Sequence, residues 1–198
     1  MRRCLLVLVL LALTACGDGT GGPTQQPDLD EAGFWELVED ARLQADGDPE
    51  AMAEDLTARL ADADEETLRG FQERLVEASS RLYTWPHRHA AEMICGYVSD
   101  DVFTDWRSWV IAMGRDTFER IAENPDRLAD VEDLSGGCEG AAAEWFGSAV
   151  SEIWFARYGY EREDFPILEP FDAPAGEQLT DRADIRASLP RLAARIPD

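Results

Sequence analysis

Apolar residues recur at helical spacing through most of the chain from residue 30 onward. The first such stretch begins at Asp30 and ends at Asp46-Gly47-Asp48, and its apolar face comprises Phe34, Leu37, Val38, Ala41 and Ala45. An aspartate before the stripe and a Gly turn after it are start and stop signals of a helix. No segment alternates polar and apolar residues as a strand does. The pattern therefore predicts an all-α protein.

Capping residues mark where the following helices begin. Side chains that can accept hydrogen bonds from first-turn N–H groups precede four further apolar stripes: Asp48 before Pro49, Asp64, Ser99 and Asn124 before Pro125. Trp85-Pro86 ends the third helix and starts a short fourth one that ends near Gly96, because proline is tolerated in the first turn but not in the interior. Gly114 interrupts the fifth stripe. A long helix follows Gly136-Gly137, with Gly159 as its end.

Beyond Asp164 the chain is rich in proline and turn residues, as in FPILEP and DAPAGE. Such a segment predicts an extended tail with one late turn around Asp184 to Leu189. The predicted fold is a single compact multi-helix bundle with an irregular Pro-rich C-terminal tail packed on it. This acidic helical domain spans residues 29–198, a length that can bury an adequate core by itself.

The N-terminus has the three parts of a signal peptide. Arg2 and Arg3 precede an apolar run from Leu5 to Leu13, and small residues follow. About ten apolar residues are too few for the roughly twenty that a membrane-spanning helix needs. We therefore expect residues 1–15 to be removed, and residues 16–28 to form a flexible Gly-rich tether.

Leu13-Thr14-Ala15-Cys16 resembles the lipobox of bacterial lipoproteins. The resemblance implies that Cys16 carries a lipid, which anchors the chain to a cell membrane facing outside the cytoplasm. More than one acyl chain on Cys16 gives stable anchoring, whereas a single chain binds only marginally. Ordinary secretion with a chance cysteine at position 16 is the alternative.

The formal net charge of −23 restricts the partners of the domain. A strongly negative surface repels nucleic acid and anionic lipid, so we expect no nucleic-acid partner. A protein with a basic surface is the partner that this charge favours. Solubility alone is the alternative reason for the acidity.

Two cysteines remain once Cys4 leaves with the signal peptide and Cys16 is lipidated. An even pair in an exported domain predicts a disulfide between Cys95 and Cys138. The alternative is two separate buried thiols, since free cysteine packs as a small hydrophobe.

A distinctive motif lies in the middle of the chain: Ser99-Asp100-Asp101-Val102-Phe103, then Trp106-Arg107-Ser108-Trp109-Val110-Ile111. Together with Gly114-Arg115 and Asn124-Pro125-Asp126-Arg127-Leu128-Ala129, it resembles the bacterial domain-of-unknown-function family numbered 4240. Phe34-Trp35 and Leu189-Pro190-Arg191-Leu192 extend the resemblance over roughly residues 30 to 195. The resemblance implies a fold but no activity. Family members often carry Gly-Gly-Cys before Ser-Asp-Asp, whereas this chain has Gly96-Tyr97-Val98.

Asp100, Asp101, Arg107 and Arg115 are the candidate binding residues, with Glu119 nearby in sequence. Paired carboxylates can share a proton or hold a divalent cation, and arginines can bind an anionic group. The alternative is structural, because acids in a first helical turn complement the helix dipole and arginines pair with acids of other helices.

No metal site, cofactor or catalytic residue is predicted. His87 and His89 lack further zinc ligands at a standard spacing, so we expect them to face solvent. Hydrolase, P-loop and dinucleotide motifs are absent from the sequence. Some of the six tryptophans could line a groove for a peptide or glycan, although their place on the apolar stripes favours the core.

Two functions follow as hypotheses. The first is a lipid-anchored envelope protein that serves as a non-catalytic protein-binding module. The second is a metal-dependent or acid/base hydrolase that uses Asp100 and Asp101.

Overall fold

The computed structural model describes residues 29–134, 138, 141–160, 164–167 and 173–196. The predictions for the signal peptide, the lipidated Cys16 and the tether fall on residues 1–28, outside the described residues.

Helices make up most of the described chain. Six precede residue 124: α1 (Glu31–Gln44), α2 (Pro49–Leu60), α3 (Glu65–Arg81), α4 (Trp85–Cys95), α5 (Asp100–Ala112) and α6 (Arg115–Glu123). A 3-10 helix (Pro125–Asp130), α7 (Ala141–Tyr158), α8 (Arg182–Ser188) and α9 (Pro190–Arg195) follow. The all-α prediction is confirmed.

The predicted caps hold the starts of the helices. Asp48 Oδ1 accepts a hydrogen bond from the Ala51 N–H at 2.8 Å, and Asp64 Oδ1 accepts one from the Thr67 N–H at 2.8 Å. Asp30, Ser99 and Asn124 cap in the same way at α1, α5 and the 3-10 helix. Each cap satisfies an N–H that has no partner within the helix, which explains why local sequence located these boundaries.

The core is organised around α7, which packs against α2, α5 and α3. Its buried side chains include Phe146, Val150 and Trp154, each 1% exposed or less. Burial of a large apolar side chain contributes roughly 1.5–3 kcal/mol. Trp154 stacks on Phe165 with ring centroids 4.6 Å apart, so the segment that follows α7 folds back onto the bundle. Among the described residues, no helix is both long enough and apolar enough to span a bilayer.

The C-terminal segment is more helical than predicted. One late turn was expected, but α8 and α9 both form, with Pro190 at the first position of α9. Asp181 caps α8 locally, whereas α9 is capped from a distant part of the chain. Asp126, which is buried, accepts hydrogen bonds from the Arg191 and Leu192 N–H groups at 3.2 and 2.9 Å.

The tail also packs on α4, as expected. Residue Ala175 pairs with the backbone on both sides of Thr84: the Trp85 N–H donates to the Ala175 carbonyl at 2.8 Å, and the Ala175 N–H donates to the Tyr83 carbonyl. This is an isolated bridge rather than a strand. The predicted disulfide is present, and it joins Cys95 at the end of α4 to Cys138 before α7.

Candidate functional site

The acidic pair at the start of α5 lies on the surface. The Asp100 side chain is 91% exposed, and its carboxylate pairs with Arg88 of α4 at 2.8 Å. Asp101 is also exposed, while Ser99 Oγ accepts a hydrogen bond from the Val102 N–H at 3.2 Å. These contacts are those of a capped helix start with acids in its first turn.

Arg107 lies in the core and is 1% exposed. Its guanidinium donates to the Thr104 hydroxyl at 2.9 Å and to the Phe103 carbonyl at 3.2 Å, and it lies over the Tyr83 ring at 4.9 Å. Burial lowers the pKa of Arg107 to about 10, which leaves it charged at neutral pH. Its own chain therefore surrounds this cation with carbonyl oxygens and ring faces.

Arg115 contacts a third set of residues. Its guanidinium pairs with Glu31 at 2.9 Å, and its backbone N–H donates to Glu39. Glu119 pairs with Arg81 instead. Asp100, Arg107 and Arg115 thus have separate partners, and within the described chain no hydrogen bond or ion pair joins any two of the four candidate residues.

The prediction that His87 and His89 face solvent is wrong. The two side chains are 4% and 1% exposed. His87 bonds to the Ile121 carbonyl at 3.0 Å and to the Thr84 hydroxyl at 2.7 Å, while His89 Nε2 accepts from the Leu179 N–H at 3.1 Å. Burial lowers the pKa of both imidazoles. The tail and α6 cover them, and sequence spacing gave no sign of either contact.

A wide cleft of about 810 Å³ opens between the C-terminal end of α1 and the 3-10 helix, with Trp109 in its lining. Its arginines have partners in the chain. Arg42 pairs with Glu39 at 2.8 Å, Arg127 pairs with Asp130 at 3.6 Å, and Arg120 donates to the Thr117 hydroxyl. The arginines of this cleft also balance part of the negative charge of the acids in its lining, which are Asp46, Asp48, Asp130, Glu132 and Asp133.

A smaller cavity of about 240 Å³ differs in this respect. It lies where α3, α5 and α7 meet, and the segment after α7 forms one wall. We call it the α3/α5/α7 cavity. Its polar lining is Gln72, Thr104, Asp105, Ser108, Glu144, Ser148 and Ser151, and its apolar lining is Phe155, Phe165, Pro166 and Ile167 with Gly147 beside them.

Two carboxylates, those of Asp105 and Glu144, line this cavity. Asp105 is half-buried on α5, and Glu144 is exposed on α7. Burial, reinforced by the charges of Glu144 and Asp101, raises the pKa of Asp105 to about 6. Within the described residues, no arginine forms an ion pair with Asp105 or Glu144. The pair therefore carries uncompensated negative charge at neutral pH.

Gln72 adds a buried acceptor to the same cavity. The side chain is 3% exposed, and among the described residues none donates a hydrogen bond to its Oε1. A buried carbonyl oxygen without a donor costs roughly 1–3 kcal/mol. A ligand that donates to this oxygen would recover that cost.

The hydroxyl groups of the lining use their protons elsewhere. Thr104 donates to the Asp100 carbonyl at 3.1 Å, Ser108 to the Thr104 carbonyl at 3.2 Å, and Ser151 to the Ser148 carbonyl at 2.8 Å. Ser148 donates to the Trp145 carbonyl. These four hydroxyl protons are thus engaged within their own helices, which leaves the hydroxyl oxygens as acceptors.

Exposed apolar side chains lie in or next to the segments that line the cavity. Trp145 follows Glu144 on α7 and is 49% exposed. Ile167 belongs to the lining and is 51% exposed, and Tyr160, 83% exposed, stacks on Phe155 of the lining at 4.6 Å. We call these three residues the apolar rim. The apolar stripes favour the core for the six tryptophans, and for Trp145 that prediction is wrong.

Sequence reasoning missed Gln72, Asp105 and Glu144. Two of them left a signal: Gln72 follows Phe71 within the apolar stripe of α3, and Asp105 stands beside Trp106 in the apolar helix α5. A polar residue on a buried helical face is unusual. The sequence does not show that α3, α5 and α7 bring these residues together. Among the described residues, no group of three or more His, Cys, Asp or Glu side chains is arranged to hold a metal ion.

The family model described as "Protein of unknown function (DUF4240)" matches residues 29–158. The chain belongs to this family. The match ends at the last residue of α7, so it includes Gln72, Asp105 and Glu144 but not the wall from Phe165 to Ile167, nor Leu189-Pro190-Arg191-Leu192. Comparison with curated proteins and with solved structures finds no match to this chain.

Proposed function

We propose that this protein is a lipid-anchored, non-catalytic module of the cell envelope that binds a protein partner with a basic surface. The observation that carries the binding role is the apolar rim of Trp145, Tyr160 and Ile167 next to the acidic α3/α5/α7 cavity. Exposed aromatic side chains next to a pocket are typical of protein interfaces, where aromatic residues are enriched.

The charge of the surrounding surface supports a basic partner. Acidic residues outnumber arginines across α1 to α3. Every arginine of these helices already pairs with an acid of the chain: Arg42, Arg59, Arg69, Arg74 and Arg81. The remaining acids create a negative field that would accelerate encounter with a basic protein.

The proposal of a lipid anchor is based on the sequence of residues 1–28. The apolar run, the small residues before Cys16 and the Gly-rich tether are the features that support it. Cys16→Ala is expected to move the protein from the membrane fraction to the soluble fraction. Retention of the variant on membranes would contradict lipid anchoring.

A matched pair of tyrosines tests the interface. Tyr160, which stacks on Phe155 of the cavity lining, and Tyr97, which follows the end of α4, are 83% and 84% exposed. We expect crosslinking capture from intact cells to recover a basic protein with the native chain and with Tyr97→Ser, and to lose it with Tyr160→Ser. Equal capture by the two variants would show that the apolar rim is not part of the interface.

The alternative is a hydrolase that uses Asp100 and Asp101. The contact of Asp100 with Arg88 and the capping by Ser99 favour a structural role for this pair. Asp100→Asn combined with Asp101→Asn should therefore leave capture of the partner unchanged. Loss of capture with a normal unfolding transition would return the acidic pair to consideration as a site.

A further inference from the structure

We propose that the α3/α5/α7 cavity binds a primary alkylammonium group, supplied by a lysine side chain of the basic partner. This inference rests on the proposed binding function and identifies the chemistry at the centre of its interface. The geometry that supports it is a set of three acceptors from three helices: Gln72 on α3, Asp105 on α5 and Glu144 on α7.

Charge and hydrogen bonding both select a cation with several N–H groups. Asp105 and Glu144 both line the cavity, and Gln72 Oε1 is buried without a donor among the described residues. An ammonium group has three donors and no acceptor. It would neutralise the carboxylates and donate to the amide oxygen at once.

The shape and lining of the cavity indicate an unbranched chain behind the ammonium. A volume of about 240 Å³ is below the roughly 300 Å³ at which sites for drug-sized molecules begin. Phe155, Phe165, Pro166 and Ile167 supply an apolar wall for methylene groups. A lysine side chain combines such an alkyl stem with a compact charged end.

Lysine fits this arrangement better than arginine. A guanidinium is a planar fork that favours bidentate contact with one carboxylate, whereas an ammonium directs three N–H groups to separate acceptors. The acceptors here come from three helices rather than from one carboxylate. Arg81 of this chain, by contrast, donates to both oxygens of a single surface carboxylate, that of Glu119.

The test titrates n-butylammonium, which has the side-chain atoms of lysine, into the full chain carrying Cys16→Ala. The backbone amide of Gly147, in the lining of the cavity, reports binding through its NMR shift. We expect a dissociation constant on the order of 1 mM, as befits a ligand with few non-hydrogen atoms. Stepwise N-methylation should weaken binding with each N–H removed, by about tenfold or more in total.

Variants separate specific recognition from the general negative field. Gln72→Met and Glu144→Gln should each weaken binding of n-butylammonium several-fold. Glu152→Gln, which removes the same charge from an exposed position of α7 outside the cavity, should leave binding unchanged. Because Glu144 is exposed, its variant should fold even if the buried Gln72→Met variant does not.

Three results would overturn the lysine assignment. They are no shift at Gly147 with native protein, equal binding of the trimethylated cation, and equal loss with Glu152→Gln and Glu144→Gln. Capture of the partner that still depends on Tyr160 would then show that the interface stands without a lysine in the cavity. Binding of n-butylammonium without any Tyr160-dependent capture would instead assign the cavity to a free alkylammonium and reject the proposed partner function.

Discussion

Arg107 and Asp105 stand two residues apart on α5 in opposite electrostatic surroundings. Arg107 is a buried cation that carbonyl oxygens, a hydroxyl and the Tyr83 ring surround. Asp105 is a half-buried anion beside a second anion, Glu144, and near the unpaired oxygen of Gln72. The chain satisfies one charge by itself and leaves the other for a ligand. A buried charge whose partners all belong to the same chain indicates a structural role. A charge that lacks such partners indicates a binding role.

The disulfide gives the largest expected effect, because it ties Cys138, shortly before α7 and its Glu144, to Cys95 of α4. Replacing Cys95 and Cys138 by serine should lower the free energy of unfolding by about 4 kcal/mol, from the entropy of the opened loop of 43 residues. Urea unfolding measures this change. We expect the same variant to weaken n-butylammonium binding. The contacts of Arg107 with Phe103, Thr104 and Tyr83 should persist. Unchanged binding would show that the cavity does not depend on the disulfide.

Truncation of Arg107 should have the next largest effect. Arg107→Ala removes one of the largest fully buried side chains together with its contacts to Phe103, Thr104 and Tyr83. We expect a loss of about 3 kcal/mol in unfolding free energy, from the cavity and the lost packing of its alkyl stem. A loss below 1 kcal/mol would contradict a structural role for Arg107.

Asp105→Asn should act in the opposite direction. Because the folded-state pKa of about 6 exceeds the ordinary value of 3.8, the unfolded chain ionises first as the pH rises, and the native state loses stability between the two values. The variant should therefore be more stable than native protein by about 1–2 kcal/mol at pH 7, after allowance for solvent screening, with little difference below about pH 4. Urea unfolding at both pH values measures this, and an equal effect at both would exclude the titration as its cause.

The protonation of Asp105 should also weaken binding of the ligand. Protonation of Asp105 removes one charge from the group formed by Asp101, Asp105 and Glu144. We expect n-butylammonium to bind several-fold more weakly at pH 5 than at pH 7.5, and this pH dependence to be reduced in Asp105→Asn. A titration series by NMR measures it.

The smallest effect is expected at the start of α5. Asp100→Asn removes a surface ion pair with Arg88, and such pairs contribute less than about 1 kcal/mol. Stability should change by no more than this, and n-butylammonium binding should not change. A larger effect on n-butylammonium binding would show that the binding site includes residues outside the cavity.

Much of the fold could be predicted because its signals are local. A cap such as Asp64 and the stripe from Leu68 to Leu75 lie within a few residues of one another, and backbone hydrogen bonds of a helix have the same short range. The disulfide between Cys95 and Cys138 followed from counting the cysteines that remain in an exported domain. The family followed from the motif around Trp106 and Arg107.

The tertiary structure decided what depends on contacts between distant residues. Asp126 caps α9 from 66 positions away, and the tail buries His89 through Leu179, 90 positions away. The α3/α5/α7 cavity likewise needs Gln72, Asp105 and Glu144 from three helices. Helical periodicity identifies which face of each helix is buried, but the packing of the helices decides which side chains meet. The sequence by itself therefore determined the elements and their ends, and only their assembly determined the candidate site.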